Sequence, residues 1–230
     1  MKVIEYNDVN AFYSEYGQIL SENEAVSRLI LQDVFSCLED KTCLEGKGCI
    51  GVVFGSIVDD MSTLLLYCKL PSHCIVLHLI NGERIEQAVQ KLVDNLIEDN
   101  YIVNEIRGNN DVCLNFIESY KKNMEFTYVQ LGGMDIMEIR MVHDMKQADG
   151  VQRLASQDDA KLVTDWMIES QLESKSSEMD YEAVLKKAVQ YIDEQKVFLF
   201  EKDDIVVSMV IKERKIGNGM LLSYVFTPVE

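Results

Sequence analysis

Met220 to Glu230, MLLSYVFTPVE, is the stretch on which the fold turns. Gly217-Asn218-Gly219 precedes it and Pro228 interrupts it near its end, so the apolar run between them reads as a buried strand bounded by turn residues. The sequence stops where that strand ends. Secondary elements bury their faces against other elements, so the expectation from this ending is a unit that lacks some of its parts.

Two further strands stand before it. Val197 to Glu201 and Ile205 to Lys212 read as a hairpin around Lys202-Asp203-Asp204. Upstream, Asp180 caps a helix with Tyr181, Val184, Leu185, Ala188, Tyr191 and Ile192 on one stripe. A polar, serine-rich passage from Glu173 to Glu178 separates it from a helix bearing Leu162, Val163, Trp166 and Met167, which Ser156-Gln157-Asp158-Asp159 can cap. With a short strand at Val151 to Ala155, residues 151–230 run strand, helix, helix, strand, strand, strand.

His143 to Gly150 is polar and marks a junction, so residues 1–142 form a first unit. Asp8 to Leu20 carries Phe12, Tyr16 and Ile19 at helical spacing. Ser21 and Glu24 have the capping-box spacing before a second helix with Val26, Leu29, Ile30, Val34 and Leu38. From Lys47 the period changes, and three β-rich runs follow: GCIGVVFGSIV, STLLLYCKL and CIVLHLI. Gly51 and Gly55 in the first of these mark a bulge or a close approach of another group to the backbone. Ile85, Ala88, Val89, Leu92, Val93, Leu96 and Ile97 then form the clearest helical stripe in the chain. A short strand at Tyr101 to Ile106 and a helix capped by Asn109 or Asn110 come next. Phe126 to Leu131 and Ile136 to Val142 are expected to form a hairpin about Gly132-Gly133.

Composition narrows the function. Hydrophobic residues make up 47% and charged residues 27% of the 230, as in ordinary globular domains. A formal charge of −17 disfavours nucleic acid and anionic membrane surfaces as partners, whereas a cationic small substrate is compatible with it. No apolar run is long enough for a membrane span, and MKVIEYND has acidic residues where a signal peptide would be apolar, so the expected location is cytoplasmic. The six cysteines form no C-x-x-C pair and read as reduced packing residues. Cys68, His73 and Cys74 match no usual zinc spacing, and no metal site is expected.

The two units echo each other in element order, the second stopping after its third meander strand. This order, with VQRLASQDDAKLVTDWMIESQLE, FLFEKDDIVVSMVI and the closing SYVFTPVE, resembles the GCN5-related N-acetyltransferase (GNAT) family. The similarity is to a bacterial two-domain branch in which a degenerate GNAT-like N-terminal domain precedes the active one. The resemblance implies an α+β (mixed α/β) fold of tandem GNAT-like units, residues 1–142 and 151–230, the second truncated after its fourth strand. The reaction it implies is acetyl transfer from acetyl-CoA to the primary amine of a small molecule or peptide. In such enzymes the fourth strand binds the pantetheine arm through its backbone, and here Val225, Phe226 and Thr227 match that segment. The glycine-rich loop for the pyrophosphate would follow Glu230, so weak or absent acetyl-CoA binding is expected of residues 1–230. In the first unit the matching turn carries only Gly82, with Glu83 and Glu86 where phosphates would sit.

Trp166 and Glu173, with Glu169, lie where the resemblance places the amine substrate. Strand alternation predicts that Ser223 and Tyr224 point to opposite faces, so that at most one faces a ligand. Glu201 reads as a hairpin charge. No catalytic acid or base is assigned, and His73, His78 and His143 have no recognisable partner. Another expectation is a non-catalytic interaction protein that dimerises through the exposed edge of its last strand.

Overall fold

The computed structural model describes residues 1–39, 49–60, 62–133, 135–173 and 180–229. Among these residues it contains six α-helices and nine β-strands in two sheets, an α+β fold. The chain divides into two compact units, the first reaching Leu131 and the second running on from Glu138, with the residues between shared out.

The first unit runs β1 (Lys2–Tyr6), α1 (Val9–Glu22), α2 (Glu24–Glu39), β2 (Val53–Asp59), β3 (Ser62–Lys69), β4 (Cys74–Leu79), α3 (Ile85–Glu98), β5 (Glu105–Gly108) and α4 (Asn110–Lys121). Its sheet has the order β1-β2-β3-β4-β5. All neighbours are antiparallel except β4 and β5, which α3 joins as a parallel pair. Buried residues of α3 (Ala88, Val89, Leu92, Val93 and Leu96) and α4 (Val112, Phe116 and Tyr120) cluster with Ile57, Leu65, Tyr67, Ile75 and Leu77. The other strand face meets α1 and α2, where the Phe12 and Phe54 rings stack at 4.9 Å. On that face Tyr16 Oη donates to Ser56 Oγ at 2.9 Å, and Ser27 Oγ lies 3.3 Å from His78 Nε2. Helices on both faces explain why these strands read as nearly continuous apolar runs.

Four expectations for this unit change. Ser21 lies inside α1 and caps no second helix, and the short strand expected over Tyr101 to Ile106 forms at Glu105–Gly108 instead. The chain opens on β1 and not on a helix. This edge strand is mostly exposed, so it carries no apolar alternation to read. The hairpin expected over 126–142 is not formed: among the described residues, 124–149 contains neither helix nor strand, and every described side chain from 127 to 149 is exposed. The alternation there is real, but neither sheet among the described residues receives it.

The second unit runs β6 (Val151–Leu154), α5 (Ala160–Glu173), α6 (Tyr181–Asp193), β7 (Val197–Lys202), β8 (Ile205–Ile216) and β9 (Gly219–Phe226). Its sheet is an antiparallel meander of order β6-β7-β8-β9. Both units therefore open strand, helix, helix, then three meandering strands, and β1 makes this echo closer than the sequence suggests. Val163, Trp166 and Met167 of α5 and Val184, Ala188 and Ile192 of α6 pack with Val197, Leu199, Met209, Ile211 and Phe226.

A polar clamp fixes where α5 begins. Ser156 and Asp159 form the expected capping box around a single 3-10 turn. Arg153 of β6 grips the same Asp159 with two nitrogens, at 2.7 and 2.9 Å, and reaches Glu201 of β7 with Nε at 2.7 Å. The Arg153 guanidinium, helped by the Ser156 donors, holds the Asp159 carboxyl down at about 2. A lowered carboxyl stabilises the fold above the ordinary value of 3.8, and that stability is lost as pH falls toward 2. Asp159→Asn is expected to cost the second unit about 1–2 kcal/mol at neutral pH and to flatten its acid response between these values. Denaturant titrations at pH 7 and pH 3 check both.

No described helix is long and apolar enough to cross a membrane. Among the described residues no group of three or more His, Cys, Asp or Glu is placed to hold a metal ion.

Candidate functional site

β9 is an edge of the second sheet, and its pairing with β8 is broken at two points. Met209 faces Phe226 and Ile211 faces Ser223, so Tyr224 and Val225 together oppose Val210 alone. This is a β-bulge, and Tyr224 occupies it with φ at +47°. A side chain with a Cβ in the left-handed region costs about 1–2 kcal/mol, so the surrounding contacts must hold Tyr224 there.

Those contacts form a polar cluster. Gln171, on α5, donates to Tyr224 Oη at 2.7 Å. Ser223 Oγ donates to Glu213 Oε1 at 2.7 Å, and Tyr191 Oη donates to the same oxygen at 3.3 Å. The Lys187 ammonium sits 5.4 Å from the Tyr191 ring centroid and 5.8 Å from that of Tyr224. Burial alone would lower the Lys187 pKa, but the two tyrosine oxygens and Glu213 outweigh it and raise it. Burial, reinforced by Glu213, likewise raises the Tyr191 phenol. Lys187 is therefore a fixed cation at neutral pH, and Glu213 is a half-buried carboxylate held by two hydroxyls.

This overturns the expectation that Ser223 and Tyr224 face apart. The bulge inserts a residue, resets the alternation and lets both side chains join one cluster. Glu213 owes its place to a second irregularity: Lys212 faces Leu222 and Arg214 faces Leu221, leaving Glu213 as the extra residue on β8.

The sequence-predicted residues lie around this cluster in different settings. Val225 is 73% exposed, whereas Phe226 is 5% exposed and belongs to the core, and Thr227 is exposed just beyond the strand. Trp166 is buried, its ring 5.9 Å from that of Phe226, so it backs β9 from the core side and offers no face to solvent. Glu169 is exposed, and the side chain of Glu173 lies outside the described residues. Glu201 is engaged by Arg153. Lys187, Tyr191 and Glu213 were not anticipated as site residues. Tyr191 reads from sequence as part of an apolar stripe, and the only hint of Glu213 is a charged run, Lys212 to Lys215, inside a strand.

A solved acetyltransferase of the GNAT family from Colwellia psychrerythraea is similar to this chain over 93% of its length and 72% of the other's, with 9% identity and a TM-score of 0.36. No family model matches the chain, and no curated protein matches it.

Proposed function

We propose that the chain is a GNAT-like protein whose second unit transfers acetyl from acetyl-CoA to a primary amine, with β9 as the strand that takes the cofactor's pantetheine arm. The observation that carries the reading is the interrupted edge of β9 at Tyr224 and Val225. An extended arm containing amide groups can add to an open strand edge through main-chain hydrogen bonds. The bulge limits that edge to short occupants, because a long strand could not pair continuously past it. Phe226 contributes its backbone only, since its ring is committed to the core.

In this reading residues 1–142 and 151–230 correspond to a degenerate and a cofactor-binding unit. Ser223 and Tyr224, beside the bulge, would line the acetyl end of the arm. Glu213 would take the proton that the ammonium must lose; the free amine would then attack the thioester carbonyl, the C–N bond forming as the C–S bond breaks, and the second amine proton would pass to the departing sulfur, so that CoA leaves as its thiol. The chain's negative charge suits a cationic acceptor.

Hydrogen exchange followed by mass spectrometry tests this. Acetyl-CoA at about 1 mM, a range suited to weak binding, is expected to slow exchange in the segment 219–229, with no comparable effect from acetate. Unchanged exchange in that segment, or protection confined to the first unit, would sink the reading.

A further inference from the structure

We propose that residues 135–143 are a self-pairing strand, through which two copies of this chain associate antiparallel about a two-fold axis at Ile139. The proposal does not rest on the acetyl-transfer reading. Its starting point is exposure: Met137, Ile139 and Met141 are 89%, 77% and 71% exposed, an apolar row at alternate positions. Isolated surface hydrophobics are ordinary, but a continuous row marks an interaction site. Beside it, Arg140 Nε donates to Glu138 Oε2 at 2.8 Å. A contact between side chains two apart means that they share a side, as in an extended strand. Among the described residues, 125–149 makes no main-chain hydrogen bond to other main chain, so the edge is open on both sides.

The occupant follows from the sequence of the segment, Asp-Ile-Met-Glu-Ile-Arg-Met-Val-His. Antiparallel pairing about Ile139 sets Glu138 opposite Arg140 of the second copy, and Arg140 opposite its Glu138. The same register sets Met137 against Met141, Ile136 against Val142 and Asp135 against His143. Every pair is apolar with apolar or acidic with basic, on both sides of the axis. Shifting the axis to Glu138 or to Arg140 brings like charges face to face. Shifting it half a step sets Met137 opposite Arg140 and mixes the apolar and charged faces. One register thus satisfies the pattern. Each copy exchanges its internal Glu138–Arg140 pair for a cross-strand one, so the charges select the partner and register while the apolar row supplies the drive.

Sedimentation velocity over a concentration series tests this on the full chain. The unaltered chain is expected to form a concentration-dependent dimer. Glu138→Arg and Arg140→Glu are each expected to raise the dissociation constant by roughly tenfold or more, since attraction becomes repulsion at two symmetric positions. The double variant Glu138→Arg/Arg140→Glu restores association, and an equimolar mixture of the two single variants forms a mixed dimer. All of these side chains are exposed, so circular dichroism should show unaltered folding. A chain that stays monomeric to about 1 mM, or a dimer that both single variants leave unchanged, overturns the proposal.

Discussion

Replacing Gly55 by alanine is expected to destabilise the first unit by about 3 kcal/mol, at the upper end of what overpacking a core costs. Gly55 sits on β2 between Glu5 of β1 and Tyr67 of β3, and the three residues face one another in a row across the sheet. Tyr67 lays its ring across the glycine to reach Glu5, donating from Oη to Oε1 at 2.8 Å. Glu5 in turn accepts from the buried Lys69 ammonium at 2.7 Å. A methyl group on residue 55 would occupy the space of the Tyr67 ring. The ring is fully buried beneath α3 and has nowhere to go. Alanine must therefore either bend β2 or break the Tyr67–Glu5–Lys69 chain. Urea unfolding read by far-ultraviolet circular dichroism measures the loss. Combining Gly55→Ala with Tyr67→Val should cost clearly less than the two single changes added, because the smaller side chain at 67 frees the space that the methyl group at 55 takes up. A loss below about 1 kcal/mol for the single alanine would contradict this packing.

Mild acid should weaken the same unit before the carboxylates begin to titrate. His78 lies on β4 under α2, buried, and burial lowers its pKa from the ordinary 6.5 to about 4. Its Nε2 lies 3.3 Å from the Ser27 hydroxyl. Above pH 6.5 both folded and unfolded chains hold it neutral, and it has no effect on stability. Below that value the unfolded chain takes up a proton that the folded one refuses, so stability falls as pH drops from 6.5 to about 4. At about 1.4 kcal/mol per pH unit the full loss is about 3 kcal/mol. His73 and His143 are both exposed, which leaves His78 as the buried imidazole. The double variant Ser27→Ala/His78→Phe removes the imidazole without stranding the serine hydroxyl. Its stability should be flat between pH 6.5 and 4.5, whereas that of the unaltered chain should slope downward. Equal slopes in the two proteins would rule His78 out as the cause.

Features written in local chemistry were legible in the sequence. The α3 stripe from Ala88 to Leu96, the caps at Ser156, Asn109 and Asp180, and the close approach at Gly55 are set by residues a few positions apart, or by the one residue type that tolerates contact over its Cα. The strand β1 was hidden because an edge exposed to water needs no apolar alternation. The hairpin over 126–142 was misjudged for the converse reason: alternation shows that a segment can pair, not where its partner is. The Tyr224 bulge leaves no mark in sequence, since the left-handed region is the province of glycine and asparagine, and a tyrosine enters it only under outside constraint. The cluster of Gln171, Lys187, Tyr191, Glu213, Ser223 and Tyr224 draws on two helices and two strands, and no local spacing could have joined them.

Trp166, whose indole backs Phe226 below the bulge, is the one tryptophan of the chain. The protein therefore carries a built-in optical label. Its tryptophan emission reports on the second unit's core, next to the strand proposed to meet the cofactor. The first unit has only tyrosine and phenylalanine rings and contributes none of that signal, so the fates of the two cores can be followed separately in a single sample.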